Sequence, residues 1–308
     1  MAEFENHTGF TVTGSKLQLV EVINKAGQFI LENVDEAYFN EPLDIERDKE
    51  TKIISLLQGA FNELIIKTPL LSSSVSFTLP FELFYTMQAP YDNTLLHEDL
   101  IEEFKWELSV LYPYMPAKDL VVQYIEVEKN DLNSYNTALV FAIPRKFLQL
   151  VYSFCQNNNL KLKFIDNAHT ASDRALSLSS PFMEKGIVLS IYFASKYLSS
   201  FINFDGKPIY HKVIPFADAS EVPEIIKSQV TSDEFIKINK SMINASFITG
   251  EDLSSSLVES LRDTTNLDLV HFNPFSKIKP EAKLIGNKCY AEKFNSFSAA
   301  AGMAFRLA

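Results

Sequence analysis

Residues 9–34 read GFTVTGSKLQLVEVINKAGQFILENV. β-Forming side chains (Phe10, Val12, Leu17, Leu19, Val20, Val22, Ile23) fall into three runs, 9–13, 16–24 and 28–34, parted by Thr13-Gly14-Ser15 and Lys25-Ala26-Gly27. Short apolar runs broken by glycine-bearing turns predict two successive hairpins. The same layout returns at 187–192, 196–203 and 208–214, where Asp205-Gly206 is the hairpin turn. Gly14-Ser15-Lys16-Leu17, then Ile23-Asn24 and Gly27, is matched by Ala194-Ser195-Lys196-Tyr197, then Ile202-Asn203 and Gly206. Each copy opens an alternation of strands and helices, which predicts an α/β fold built as a two-lobe duplication.

Working outward, residues 48–66 place Ile53, Leu56, Leu57, Ala60, Phe61, Leu64 and Ile65 at helical spacing, with Asp48 as the expected N-cap. Further helices are expected at 94–111, 144–155, 168–178, 220–230, 252–263 and from 294, and further strands at 75–79, 120–128, 137–143, 160–165, 247–249 and 269–272. The stretch 177–186, containing Ser179-Ser180-Pro181, is the expected boundary between a first lobe, 1–178, and a second, 186–308.

Composition excludes several classes. With 28 Lys+Arg against 39 Asp+Glu the chain carries a net charge of −11, and no basic face is evident, which argues against nucleic acid as a partner. Cys155 and Cys289 are the two cysteines, too few for a disulfide framework, so a reducing compartment is expected. The start, MAEFENHTGF, lacks the basic and apolar regions of a signal peptide, and no apolar run approaches the ~20 residues of a membrane span, so no direct membrane insertion is expected. Nine glycines stand where average usage would give about 22, so a phosphate-cradling loop has to be argued residue by residue.

Several local patterns, in order along nearly the whole chain, resemble the PilM family of type IV pilus assembly proteins. These are FtsA-related members of the actin-like ATPase superfamily, of ribonuclease H-like fold. The patterns are SVSFTLP (74–80), Glu103-Phe104-Lys105-Trp106-Glu107 followed by Tyr112-Pro113, and Ala142-Ile143-Pro144-Arg145 followed by Leu160-Lys161 and Ile165-Asp166. Phe204-Asp205-Gly206-Lys207, Ile214-Pro215-Phe216, Asn273-Pro274-Phe275 and the closing Ala301–Arg306 stretch complete the series. The resemblance implies a small α+β subdomain inserted in the first lobe at about 81–143, and two first turns that clasp nucleotide phosphates.

Against that pattern the phosphate loops depart. ATP-binding members carry Asp-x-Gly in each loop, the carboxylate holding a magnesium-bound water and the glycine admitting phosphate. Here the first loop reads Thr11-Val12-Thr13, then Gly14-Ser15-Lys16, and the second reads Tyr192-Phe193-Ala194, then Ser195. A phenol of pKa about 10 is no base at neutral pH, and its ring is expected to fill the cleft. The adenosine-side glycine turn corresponds to Thr249-Gly250-Glu251-Asp252, with carboxylates facing a polyanion. The expected pocket is therefore vestigial, a pseudo-ATPase with no catalytic residue. ATP and magnesium are expected only if it is not filled. The alternatives left open are residual nucleotide binding through Gly14, Ser15, Lys16 and Ser195, an active ATPase of the same fold, and a sugar or acetate kinase relative, which needs the same missing aspartates. Lys16 and Lys196 read as solvated turn residues.

The remaining chemistry is sparse. His7, His97, His169, His211 and His271 lack metal-ligand spacing and read as surface or edge residues, no metal site is expected, and Cys155 lies on an apolar helix stripe. The family resemblance implies a cytoplasmic protein, peripheral to the inner membrane, that binds the N-terminal cytoplasmic tail of the membrane protein PilN in a groove beside the inserted subdomain. Phe104, Trp106, Leu108 and Tyr112 are the expected lining, and the acidic helix carrying Glu98, Asp99, Glu102 and Glu103 is expected to attract a basic tail. The sequence leaves self-association open.

Overall fold

The computed structural model describes residues 5–231, 238, 240–251 and 253–307. Its first half contains β1 (His7–Val12), β2 (Lys16–Lys25), β3 (Gln28–Tyr38), α1 (Glu50–Lys67), β4 (Ser74–Leu79), β5 (Tyr85–Pro90), α2 (His97–Leu111), β6 (Leu120–Val127), β7 (Thr137–Pro144), α3 (Arg145–Asn157), β8 (Lys161–Asn167) and α4 (Ala168–Ser179). The second half contains β9 (Ile187–Phe193), β10 (Tyr197–Phe204), β11 (Lys207–Pro215), α5 (Val222–Thr231), β12 (Ile243–Gly250), α6 (Ser255–Thr265), β13 (Leu269–His271), β14 (Lys279–Pro280), α7 (Lys288–Ala291) and α8 (Ser298–Ala304).

The duplication is visible in the pairing. One sheet runs β14-β3-β2-β1-β4-β8 and the other β11-β10-β9-β12-β13, so the order third-second-first-fourth-fifth occurs in both. In each, the first strand pairs antiparallel with the second and parallel with the fourth. The turns Ala26-Gly27 and Asp205-Gly206 have positive φ at both positions (53° and 82°, 48° and 81°), the twist-matched geometry of a two-residue hairpin. A third sheet, β5-β7-β6, covered on one face by α2 through Leu100, Phe104 and Leu108, forms the inserted subdomain.

Three expectations change. Helix α1 starts at Glu50 after Lys49, without a side-chain cap, because the Asp48 carboxylate is taken by the Asp44 amide (2.9 Å) and the Lys52 ammonium (3.0 Å). Helix α2 starts at His97 rather than 94, since Asp92 and Thr94 close a local turn of their own. His7 and His169 are buried rather than at the surface.

The chain does not stay with the second sheet to its end. After β13, β14 pairs with β3, and Lys283 reaches Glu32 at 2.6 Å. Helix α8, seven residues of Ser, Ala, Gly and Met, then lies fully buried between α4, β1 and β12. Ser298 holds Thr249 of β12 (2.6 Å) and Ser172 of α4 (2.9 Å), and Gln18 of β2 donates to Ser296 at 3.2 Å. Val20, Leu31 and Val34 of the first sheet therefore share one core with Val188 and Phe247 of the second. Contact is backbone against backbone. A Cβ on Gly302 would stand 1.7 Å from the Ala171 carbonyl oxygen, and one on Gly9 2.0 Å from that of Ala300.

A polar seam fixes α4 to the second sheet. His169 bonds Ser199 (2.7 Å) and Ser190 (3.0 Å), Ser199 bonds His211 (2.9 Å), and Asp173 accepts from Ser190 and from Asn203 (3.0 Å). Burial pushes His211 down to about 3 and Asp173 up to about 6, and holds His169 well below its usual range.

Two outcomes follow. Gly302→Ala should lower unfolding free energy by roughly 3 kcal/mol in urea titrations, at the upper end of overpacking costs; a loss under 1 kcal/mol would contradict the close seat of α8. The second concerns pH. An unfolded imidazole binds its proton near pH 6.5, whereas folded His211 does so only near 3, so stability is lost as pH falls below about 6.5. Asp173 acts oppositely, its contribution disappearing as pH rises through about 6. Scanning calorimetry from about pH 7.5 to 5.5 should show a falling Tm, with His211→Gln shallower by up to about 1 kcal/mol per pH unit.

Candidate functional site

Both first turns meet at a cleft of about 630 Å³ between the lobes, lined by Thr13, Gly14, Ser15, Ser195, Lys196 and Glu251 together with segment 42–48. The first turn is internally closed. The amides of Ser15 and Lys16 both donate to Thr13 Oγ1, at 3.2 and 3.1 Å, and the Thr13 amide donates to the Lys16 carbonyl at 3.0 Å. From outside, the amides of Phe39 and Leu43 donate to the carbonyls of Ser15 and Gly14, each at 2.8 Å, so the 39–48 segment is laid across the turn. Gly14 is not required sterically, since an added Cβ would meet the Leu43 carbonyl oxygen at an ordinary 3.5 Å.

Thr11, Lys16, Tyr192, Ala194 and Gly250 lie beneath this surface. Thr11 accepts from Thr78 at 2.9 Å. Lys16, 0% exposed, is not a solvated turn residue: its ammonium points away from the cleft to Glu36 at 3.1 Å. Although burial opposes it, the ammonium groups of Lys293 and Lys16 hold the Glu36 carboxyl below its usual range. Lys196, by contrast, is exposed on the cleft wall. Tyr192 packs its ring edge-on to Phe81, 5.8 Å between centroids, in a cluster with Ala168, Ala194 and Ala299. Its hydroxyl has no hydrogen-bond partner among the described residues. Burial, then the charges of Glu251 and Glu82, raise that phenol well above its usual range.

Gly250 has a role in packing. At φ +133°, it lies against Phe193, whose carbonyl oxygen a Cβ would meet at 2.0 Å, and the Glu251 amide donates to that oxygen at 2.8 Å. Asp252 falls outside the described residues. Around the cleft stand Asp44, Glu46, Asp48, Glu82 and Glu251 against Arg47, Lys52 and Lys196. Desolvation at the cleft wall, reinforced by the charges of Asp44 and Glu46, raises the Glu82 carboxyl above its usual range. The residues present do not fit a magnesium–polyphosphate group: the amides of Ser15 and Lys16 are spent on Thr13, and the walls are carboxylate-rich.

The inserted subdomain meets the first lobe at a separate groove of about 850 Å³ whose walls include Tyr85, Tyr112, Tyr114, Met115, Arg145 and Lys146. Tyr112 packs edge-on to Tyr85 at 4.9 Å, and its hydroxyl donates to the Thr86 carbonyl at 3.3 Å. Phe104 and Leu108 are 0% exposed and form the subdomain core, so they cannot touch a partner. Trp106, 67% exposed, stands on the outer face of α2 with Val110, whereas Leu111 at the helix end lines the groove. Sequence reading missed Tyr85, Tyr114 and Arg145 as wall residues; the Tyr-Pro-Tyr-Met-Pro run at 112–116 was the available signal. Cys155 is core, its thiol pushed up to about 12 by burial. Among the described residues, no helix is long and apolar enough to cross a membrane.

No protein-family model matches the sequence, and no curated protein does. Solved structures do match. A chain of a PilM-PilN type IV pilus biogenesis complex is similar with 16% identity and a TM-score of 0.74, covering 100% of this chain and 99% of that one. A Bacteroides thetaiotaomicron protein described as having an actin-like ATPase fold and unknown function follows, with 11% identity, a TM-score of 0.54 and 98% of each chain covered. The fold is that of the actin-like ATPases along the whole chain.

If the Tyr192 hydroxyl is buried without a partner, Tyr192→Phe should raise unfolding free energy by about 1 kcal/mol in denaturant titrations. A destabilised variant would mean the hydroxyl is satisfied.

Proposed function

We propose that the protein is a non-catalytic actin-like scaffold of a type IV pilus or related secretion machine. It sits peripherally at the cytoplasmic face of the inner membrane, holding the N-terminal tail of a PilN-like membrane protein. The observation that carries the reading is the closed first turn. The amide pair Ser15 and Lys16 is consumed by Thr13 Oγ1, and the surrounding carboxylates repel a polyanion. The likeness over the full chain to the protein of the PilM-PilN complex supports the pilus assignment.

The groove between α3 and the inserted subdomain offers tyrosine faces, exposed proline-flanked backbone and the cations Arg145 and Lys146 beside Asp119. An extended peptide docks in such a trough by burying apolar side chains against the rings while its charges meet both signs on the walls. A second reading, ATP binding in the 630 Å³ cleft, is favoured by the cleft's volume and by the exposed Lys196.

Calorimetry separates the two. Titration with magnesium-ATP should give no saturable heat, and micromolar binding would defeat the scaffold reading. The cytoplasmic tail peptide of a single-pass membrane protein from a neighbouring gene should bind, and Tyr114→Ser combined with Met115→Ser, which strips apolar surface from the groove wall, should weaken it at least about tenfold. A folded protein that ignores the peptide would refute the docking claim.

A further inference from the structure

A third cavity, of about 480 Å³, lies on the face of the inserted sheet that α2 does not cover, between that sheet and the edge strand β8. Its walls are largely apolar, including Val121, Ile125, Phe141, Ile143, Leu148 and Leu162. Its polar groups include one face of the first turns of α4, with Asn167, Thr170 and Arg174 at helical spacing, and Arg306 from the end of the chain.

Those groups are donors in excess. Asp166 accepts from Arg174 at 2.7 Å and from Arg306 at 3.1 Å, so one carboxylate faces two guanidinium groups. Burial, then the neighbouring Arg174, lowers Arg306 from its usual pKa. Arg306 lies over the Phe164 ring, 3.9 Å from its centroid, and among the described residues hydrogen-bonds through Nη1 alone, to Asp166, which leaves Nε and Nη2 available to a second acceptor. Asn167 is 2% exposed. Its Oδ1 caps α4 by accepting from His169 and Thr170, while its Nδ2 has no partner among the described residues. The positive end of the α4 dipole adds to the same field.

We propose that this cavity binds a linear apolar chain ending in a carboxylate. The carboxylate is held by the Arg306 fork and Asn167 Nδ2, and the chain lies along the aliphatic wall. A carboxylate matches a guanidinium fork in two parallel hydrogen bonds, and it supplies the charge that Asp166 leaves uncompensated. Two sources share this chemistry, a free fatty acid and the C-terminus of an apolar peptide.

The test titrates the full chain near neutral pH with decanoate below its micellar concentration, with decanol, and with acetyl-Leu-Ile-Val as free acid and as C-terminal amide. At least one acid should bind saturably at one site, with the matching alcohol or amide about tenfold weaker or worse. Arg306→Gln should weaken the acid at least about tenfold, and Arg306→Lys, which keeps charge without the fork, should fall between. The tighter acid identifies the source. Binding of neither acid, equal binding of the neutral analogues, or an unaffected Arg306→Gln variant of native stability would each overturn the proposal.

Discussion

The fold depends on the seat of α8. Two glycines, Gly9 on β1 and Gly302 within the helix, let three backbones touch where any side chain would overlap a carbonyl oxygen. Because the helix also bonds β12 through Ser298, it closes one core from the faces of both sheets. Close-packed contacts of this kind have discrete arrangements rather than a continuum of slides. The spacing of the two first turns, and hence the cleft, is set from behind by a helix that never reaches the cleft surface.

That spacing leaves a gap whose lining is fixed by several separate local choices. Thr13 replaces the solvent or ligand that the turn amides would otherwise need, the 39–48 segment occupies the turn carbonyls, and Tyr192, whose ring was expected to fill the cleft, instead packs on Phe81 beneath it. Lys16, the cation nearest in sequence to the turn, is folded under it and spent on Glu36. The charges that do face the opening are mostly carboxylates. Each feature has its own structural reason, from turn capping to core filling. The closed, carboxylate-rich lining is a by-product of several stable local solutions.

The duplication was legible because it rests on local chemistry: glycine in two-residue turns and β-formers between them. Where the reading failed, a tertiary partner had intervened. Asp48 resembles a helix cap in sequence, yet Lys52 and the Asp44 amide reach its carboxylate first. His169 and Lys16 read as surface residues because neither has a charged partner adjacent to it in sequence that would license burying it. Both are buried because partners remote along the chain, Ser199 and Ser190 for one and Glu36 for the other, satisfy them. Strand β5 carries Pro90 at its end and few strong β-formers, so only its pairing with β7 defines it. Of the expected partner residues, Tyr112 reaches the groove, while Phe104 and Leu108 could not be told from core by spacing alone, since an apolar helical stripe is the same pattern in either role.

Helix α4 draws these parts together, because its faces are divided among three tasks. Ala171 and Ser172 receive α8, His169 and Asp173 grip the second sheet, and Asn167, Thr170 and Arg174 look into the cavity under the inserted sheet. A helix committed on two sides to packing cannot rotate to satisfy the third. The guanidinium of Arg174 stays where the backbone puts it, and Asp166, fixed one residue before Asn167 on β8, can balance only part of the charge that Arg306 adds. The local excess of positive charge in an acidic protein thus follows from rigidity: the groups that could relieve it are held by the same contacts that join the lobes.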